Sequence, residues 1–418
     1  MGASSRAVGV RLSGVIVLLC AVAWSGLTSG VAQADSPLCA WRFMSNDTVL
    51  DVAFPDAEAT YWMLPFALGA GDSLELSGTY PAARYFSLNT YGTNFDTVDT
   101  LRDNQIAADP GSDNPFVDSA ATATPAAERR WHARLVTGPA DHSRNEIRAL
   151  PAGQRAPIGF LIIRVYVPTD PTSPSGGVPL PDATLHVAGA TVASQPCARI
   201  FDPSAYPGPI AQLATAGFDQ VIAGAAAGAF PGNVPEATFV NPASTSGLFP
   251  NGDNKYIGAG LTYEPGRLVV VRAKAPSFPD SRAGQAPAEP GRQVRYWSMC
   301  QNDLISPYPV VACAADFRTR LDADGYYTYV VAAPEDLPAQ PDPSVTVLPW
   351  GRTDVAKKVL FLRYMLPSPD FYPQSIQASQ DSGSDPAATM GPYYPAAAYC
   401  SAATFAAAGA AGCLPVAR

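Results

Sequence analysis

Apolar and polar positions alternate along much of this chain with a period of two, which predicts a succession of short β-strands. Leu74-Glu75-Leu76 and the run from Tyr85 to Tyr91 show the alternation clearly. Trp41 and Phe43 repeat it and predict an opening strand. Residues 130–136 and 183–187 read as further strands, and 159–167 is so continuously apolar that it belongs at the centre of its sheet. In the second half, strands are predicted over 267–273, 294–300, 326–332 and 359–366. Residues 96–116 are polar and turn-rich, with Asp109-Pro110-Gly111-Ser112-Asp113 as a turn cluster, so they are expected to form a loop. One stretch changes period. Ile210, Leu213, Phe218, Val221 and Ile222 recur at near-helical spacing in an Ala-rich background, with Gly208-Pro209 before them and Gly228 and Pro231 after. The Ala-rich run 396–411 predicts either a helix or an unstructured end.

The strands repeat. Arg84-Tyr85-Phe86-Ser87 returns as Arg295-Tyr296-Trp297-Ser298. Residues 61–76 align without a gap on 256–271, at a constant offset of 195 positions. The strand at 160–168, with Arg164, is echoed at 360–367, with Arg363. The expected fold is therefore mainly β: two tandem jelly-roll-like β-sandwich units from an internal duplication, with one connecting Ala-rich helix. The units are expected at 35–200 and 232–380, the helix at 201–231, and an Ala/Tyr-rich tail at 381–418. A parallel α/β fold would need a helical pattern after each strand, and only one such pattern links the strand-bearing halves.

The first 34 residues read as a secretory leader. Arg6 and Arg11 precede an apolar core over 15–27, and Ala32-Gln33-Ala34 offers a small-residue cleavage site before Asp35. No twin arginine is present, so the general secretory route is expected, with the mature chain outside the cytoplasm and without a transmembrane anchor. Without the leader and its Cys20, six cysteines remain, an even number suited to disulfides in an oxidising compartment. Proximity pairs Cys300 with Cys313 and Cys400 with Cys413, leaving Cys39 for Cys197. Removing the two leader arginines takes the formal net charge from −9 to −11. An acidic chain without a basic cluster is a poor nucleic-acid binder.

Candidate chemistry is sparse. Cys-x-x-Cys, His-x-His and His-Glu-x-x-His spacings are all absent, so no metal or other cofactor is expected. No Gly-x-Ser-x-Gly elbow supports a hydrolase serine. His142, in a polar loop, is the histidine to consider as a base, while His186 reads as a packing residue. Asp322-Ala323-Asp324-Gly325 and Asn251-Gly252-Asp253-Asn254 resemble fragments of calcium loops, but Asp-Gly is also a common hairpin turn. Arg84, Arg164, Arg295 and Arg363 sit in apolar strands and must find partners there, for which Asp103 and Asp316 are candidates. The alternative is an anion site built on their planar guanidinium groups. With Trp297 and Tyr327, these arginines are the candidate binding residues, and a row of exposed aromatics would suit sugar rings or apolar lipids.

Over 290–376 the order Arg-Tyr-Trp-Ser, then Asp322-Ala323-Asp324-Gly325 before a Tyr/Val strand, then Leu348-Pro349-Trp350, then Leu362-Arg363-Tyr364 and a proline resembles the C-terminal jelly-roll domain of a large bacterial exported family of unknown function. The resemblance implies two β-rich domains and brings no catalytic residues with it. The expected role is binding of a small-molecule or glycan ligand, or an apolar envelope ligand. The alternative is an exported hydrolase using Asp, Glu or His chemistry.

Overall fold

The computed structural model describes residues 39–118, 124–187, 189–197, 209–230, 234–339 and 342–414. The leader expected over 1–34 lies outside them. The chain is mainly β, with four sheets and four α-helices among the described residues, and it divides into two compact units.

The first unit holds β1 (Phe43–Ser45), β2 (Ala59–Ala67), β3 (Ser73–Thr79), β4 (Ala83–Tyr91), β5 (Thr97–Arg102), β6 (Arg130–Val136), β7 (Glu146–Arg148), β8 (Ile158–Pro168), β9 (Asp182–Val187) and β10 (Ala190–Ser194). They form two sheets, in the orders β1-β2-β8-β4-β5 and β10-β9-β3-β6-β7. β8 lies central, as its apolar run requires. Alternate residues of each sheet meet in one core: Leu88, Leu161 and Ile163 from one, Leu76, Trp131 and Leu135 from the other. Gly78 lies opposite Trp131, and a Cβ there would come within 2.4 Å of the indole, so a larger residue would push the ring out of the core.

Helix α1 (Pro209–Ala229) follows. The second unit holds β11 (Asn254–Thr262), β12 (Arg267–Lys274), β13 (Tyr296–Asp303), β14 (Val310–Ala315), β15 (Tyr326–Ala332), β16 (Thr346–Pro349) and β17 (Lys357–Met365). The short helices α2 (Ile376–Ser382) and α3 (Pro386–Met390), strand β18 (Ala396–Ser401) and helix α4 (Ala402–Ala408) complete it. Its sheets run β11-β17-β13-β14 and β16-β15-β12-β18. The core between them takes Ile257, Met299 and Leu362 from one side and Val269, Val271 and Tyr329 from the other. Each unit is a sandwich of mainly antiparallel sheets with one parallel pair, β6 with β7 and β15 with β16.

Several sequence expectations are corrected here. Residues 97–102 form β5, not loop, because the edge of the first sheet accepts a polar strand beside β4. The tail is not a separate appendage. Ala396–Ser401 is a strand paired with β12, and only 402–408 is helical, so backbone pairing overrides the helical preference of alanine. The unit boundaries also differ: residues 46–58 belong to the second unit and 245–252 to the first. The three disulfides are Cys39–Cys197, Cys300–Cys313 and Cys400–Cys413, as proximity predicted.

Candidate functional site

Two niches carry the buried polar chemistry, one in each unit, and they are built alike. In the second unit Arg363 projects from β17, opposite Tyr256 on β11 and Ser298 on β13. Its Nη2 donates to the carbonyl of Phe54 at 2.6 Å, and its Nη1 lies 3.5 Å from Oδ2 of Asp56. The Asp56 carboxylate also accepts from Ser298 Oγ at 2.6 Å, Tyr296 OH at 2.9 Å and the Glu58 amide at 3.0 Å. These donors, with the Arg363 guanidinium beside them, make a charge-assisted cluster around one buried carboxylate. Burial, then the charge of Asp56, pushes the Tyr296 phenol well above its ordinary range, so it stays a donor.

In the first unit Arg164 projects from β8, opposite Tyr61 on β2 and Ser87 on β4. Its Nη2 donates to the carbonyl of Phe249 at 2.6 Å and to Tyr91 OH at 2.7 Å. The guanidinium lies over the Tyr61 ring at 4.9 Å and near the Tyr91 ring at 5.9 Å. Tyr85 OH donates to Oδ1 of Asn251 at 3.3 Å. Phe249-Pro250-Asn251 thus fills the role of Phe54-Pro55-Asp56, and the two tripeptides stand at the same 195-residue offset as the strands that follow them. Extending the repeat seven residues upstream of Tyr61 would have pointed to Asp56 and Asn251 from sequence.

Asp56 lies against Arg363 across 307 residues of chain that local pattern cannot bridge. The Asp316 carboxylate accepts the amides of Trp297 (3.2 Å) and Phe317 (2.7 Å). Asp103 does the same for Phe86 (3.1 Å) and Asn104 (2.7 Å). Arg84 is wholly buried in β4 and Arg295, half-buried, immediately precedes β13.

Trp297 and Tyr327 do not form a ligand face. Both are wholly buried, stacked on each other in the core with centroids 5.3 Å apart. Strand alternation sends the next side chain, Tyr326, to the opposite surface. There Leu268, Val270 and Val330 are covered by Phe405 of α4, and beyond them Arg272, Lys274 and Tyr326 emerge around the buried Thr328. Arg272 donates to Thr328 Oγ1 (2.9 Å) and Asp322 (2.5 Å) and lies over the Tyr326 ring at 4.9 Å. Arg272, Lys274 and Tyr326 are all half-buried. Asp322 serves as a turn anchor, accepting the amides of Asp324 and Tyr326, and those bonds hold its carboxyl below the usual range. In the other acidic motif Asn251, Asp253 and Asn254 are buried, and Asn254 opens β11. Asp56 comes within 4.8 Å of the sulfurs of Cys300 and Cys313, but those atoms are bonded to each other and offer no thiolate to a metal.

His142 Nε2 meets both Asp99 oxygens, at 3.0 and 3.1 Å. The Asp99 carboxylate is fixed by the Arg148 amide at 2.8 Å. His132 pairs with Asp109 at 2.8 Å. His186 is half-buried, with its Nε2 3.2 Å from a Glu75 carboxylate oxygen.

The 46–58 segment carries carboxyls that burial disfavours as anions. Asp51 is pushed up to about 6 by burial and by the charges of Asp47 and Asp303, against the pull of the Val310 amide that it accepts at 2.9 Å. Asp303 is itself paired with the buried Lys358. Glu58 is raised by burial despite Arg318 at 3.0 Å and Arg282 at 3.6 Å. For Asp51 the folded pKa lies above the unfolded one, so its contribution to stability is complete below pH ~4 and is lost as pH rises through about 6. Asp51→Asn should flatten the fall in unfolding midpoint between pH 4 and 7. An unchanged slope in urea melts would show that Asp51 does not drive it.

No protein-family profile and no curated protein matches the chain. Among solved structures the likeness is to an uncharacterised protein of Burkholderia cenocepacia. The two share 14% identity with a TM-score of 0.52, over 95% of this chain and 89% of that one. At that identity the likeness shows the fold alone. The VPA0106 protein of Vibrio parahaemolyticus aligns at 12% identity over 82% of this chain and 88% of that one, with a TM-score of 0.38.

Proposed function

We propose that the chain is an exported binding protein of the bacterial cell envelope, built by internal duplication and akin to the exported family that residues 290–376 resemble. In this reading it takes a glycan ligand and performs no reaction on it. The observation that carries the reading is the surface of Arg272, Lys274 and Tyr326 on β12 and β15. A half-buried tyrosine beside a planar guanidinium held by Thr328 and Asp322 offers stacking and fixed hydrogen bonds, the pair of interactions that sugar rings use. An apolar envelope ligand is less well served, since Leu321 is the large exposed hydrophobic next to the Tyr326 turn, and Val117, Ile305, Val347 and Tyr372 lie elsewhere in the sequence. The disulfides suit an oxidising compartment, in keeping with a cleaved leader over 1–34.

The test is a thermal-shift screen of the mature protein against envelope glycans and lipids. A glycan should raise Tm in the wild type and not in Tyr326→Ala, whose own Tm should differ little. A shift retained in Tyr326→Ala, or no glycan shift at all, sinks the reading. The second reading, an exported hydrolase, is favoured by the His142–Asp99 pair, in which a fixed carboxylate orients a half-exposed imidazole. Hydrolysis of any envelope glycan by the wild type, lost in His142→Gln, would favour it over binding.

A further inference from the structure

We propose that Lys358 and Asp303 condense into an amide, a covalent cross-link between β17 and β13, with Asp51 as the acid of the step. The proposal does not depend on the glycan reading. Lys358 and Asp303 stand directly opposite each other on antiparallel strands, and Lys358 Nζ meets Oδ1 of Asp303. Lys358 is wholly buried and Asp303 is 8% exposed. Among the described residues Asp303 is the one hydrogen-bond partner of the ammonium, which leaves N–H groups of Lys358 unspent. A charge pair held so far from water with so few hydrogen bonds is costly, whereas the amide it can become is neutral and has a single N–H to satisfy. The pair is not a requirement of the sandwich. Asp303 lies five residues after Ser298 and Lys358 five before Arg363, and the same count from Ser87 and Arg164 in the first unit reaches Gly92 and Gly159.

The reaction needs no reagent from outside. A proton passes from the ammonium to the carboxylate, and the freed lone pair of Nζ attacks Cγ of Asp303. The new C–N bond forms as the carbonyl π bond opens. The bond from Cγ to the hydroxyl then breaks, and the hydroxyl leaves as water with a proton from Asp51, which regains one from the nitrogen. Nothing is oxidised or reduced, and one water is lost. The paired strands hold the reacting groups together in advance, which removes the entropy loss of a bimolecular condensation. Burial keeps bulk water from the intermediate. Asp51 is anchored on this flank by the amide of Val310 at 2.9 Å, and Val310 pairs with Asn302, the neighbour of Asp303. With its pKa pushed up to about 6, part of Asp51 stays protonated near neutrality, as a proton donor must.

The experiment is a peptide map of the purified protein, reduced, alkylated and cut with trypsin, which does not cut at an acylated lysine. Residues 296–318 and 358–363 should appear as one branched species, lighter than their sum by the mass of one water. Lys358→Arg keeps the positive charge but cannot form this bond, so it should release 296–318 as a free peptide. Asp51→Asn keeps an oxygen for the Val310 amide and should fold, yet most of it should remain unlinked. Free peptides 296–318 and 359–363 as the main products of the wild type would overturn the proposal. A water lost instead at Asp324-Gly325, by closure of the aspartate to an imide, would leave both peptides free and overturn it equally. So would linkage as complete in Asp51→Asn as in the wild type.

Discussion

Asp56→Ala should cost the second unit about 3–5 kcal/mol, the penalty for leaving a buried charge without its partner. The substitution removes one carboxylate and leaves a set of donors behind: the Arg363 guanidinium, Ser298 Oγ, Tyr296 OH and the Glu58 amide. None of these can turn to water, because Ser298 and Tyr296 are wholly buried and Arg363 is 3% exposed. For a unit of this size the loss corresponds to a fall in Tm on the order of 10 °C. The double variant Asp56→Ala with Arg363→Met should recover stability relative to Asp56→Ala alone, since removing both charges removes the uncompensated one. Urea denaturation of the two variants would decide it. Additive losses would mean that the pair is screened and contributes little.

The second large effect is expected at Cys39–Cys197. This bridge joins residues 158 positions apart, so it restricts the unfolded chain far more than either of the two bridges that span 13. On chain entropy alone it contributes about 5 kcal/mol, against roughly 3 kcal/mol for each short one. Cys39→Ser with Cys197→Ser should therefore destabilise the first unit more than Cys400→Ser with Cys413→Ser destabilises the second. The comparison is made by chemical denaturation under non-reducing conditions. Equal losses for the two double variants would show that the bridges act through the folded state rather than through the closed loop.

Much of this architecture was legible because strand alternation and similar strand segments in the two halves can both be read in the residues themselves. Tyr-Phe-Ser in β4 and Tyr-Trp-Ser in β13, each preceded by an arginine, both pair with the arginine-bearing strand of their sheet. The disulfides were legible because two of the three pairs are local. What escaped were features decided by position in the sheet rather than by pattern. Strand β5 is polar because it lies at a sheet edge. Strand β18 is rich in alanine, and only the free edge of β12 makes it extended. Tyr327 looked like a ligand-facing aromatic, but which of two adjacent tyrosines faces out depends on register, and the outward one is Tyr326. Asp56 escaped because its side-chain partners Tyr296 and Ser298 are more than 200 residues away and its own segment looked like a lead-in to the first unit.

The composition of the second unit bears on how such a chain can be made. Residues 46–58 near its start and strand β18 near its end are both integral to it. A chain that emerges through a narrow channel from its N-terminus would hold Asp56 long before Arg363 exists, and would wait for β18 before β12 gained its second neighbour. The second unit is thus kept open until its last strand has emerged. An expression fragment trimmed to 232–380 would lack both ends and should be recovered as an aggregate, whereas one that retains residues 39–414 should be soluble.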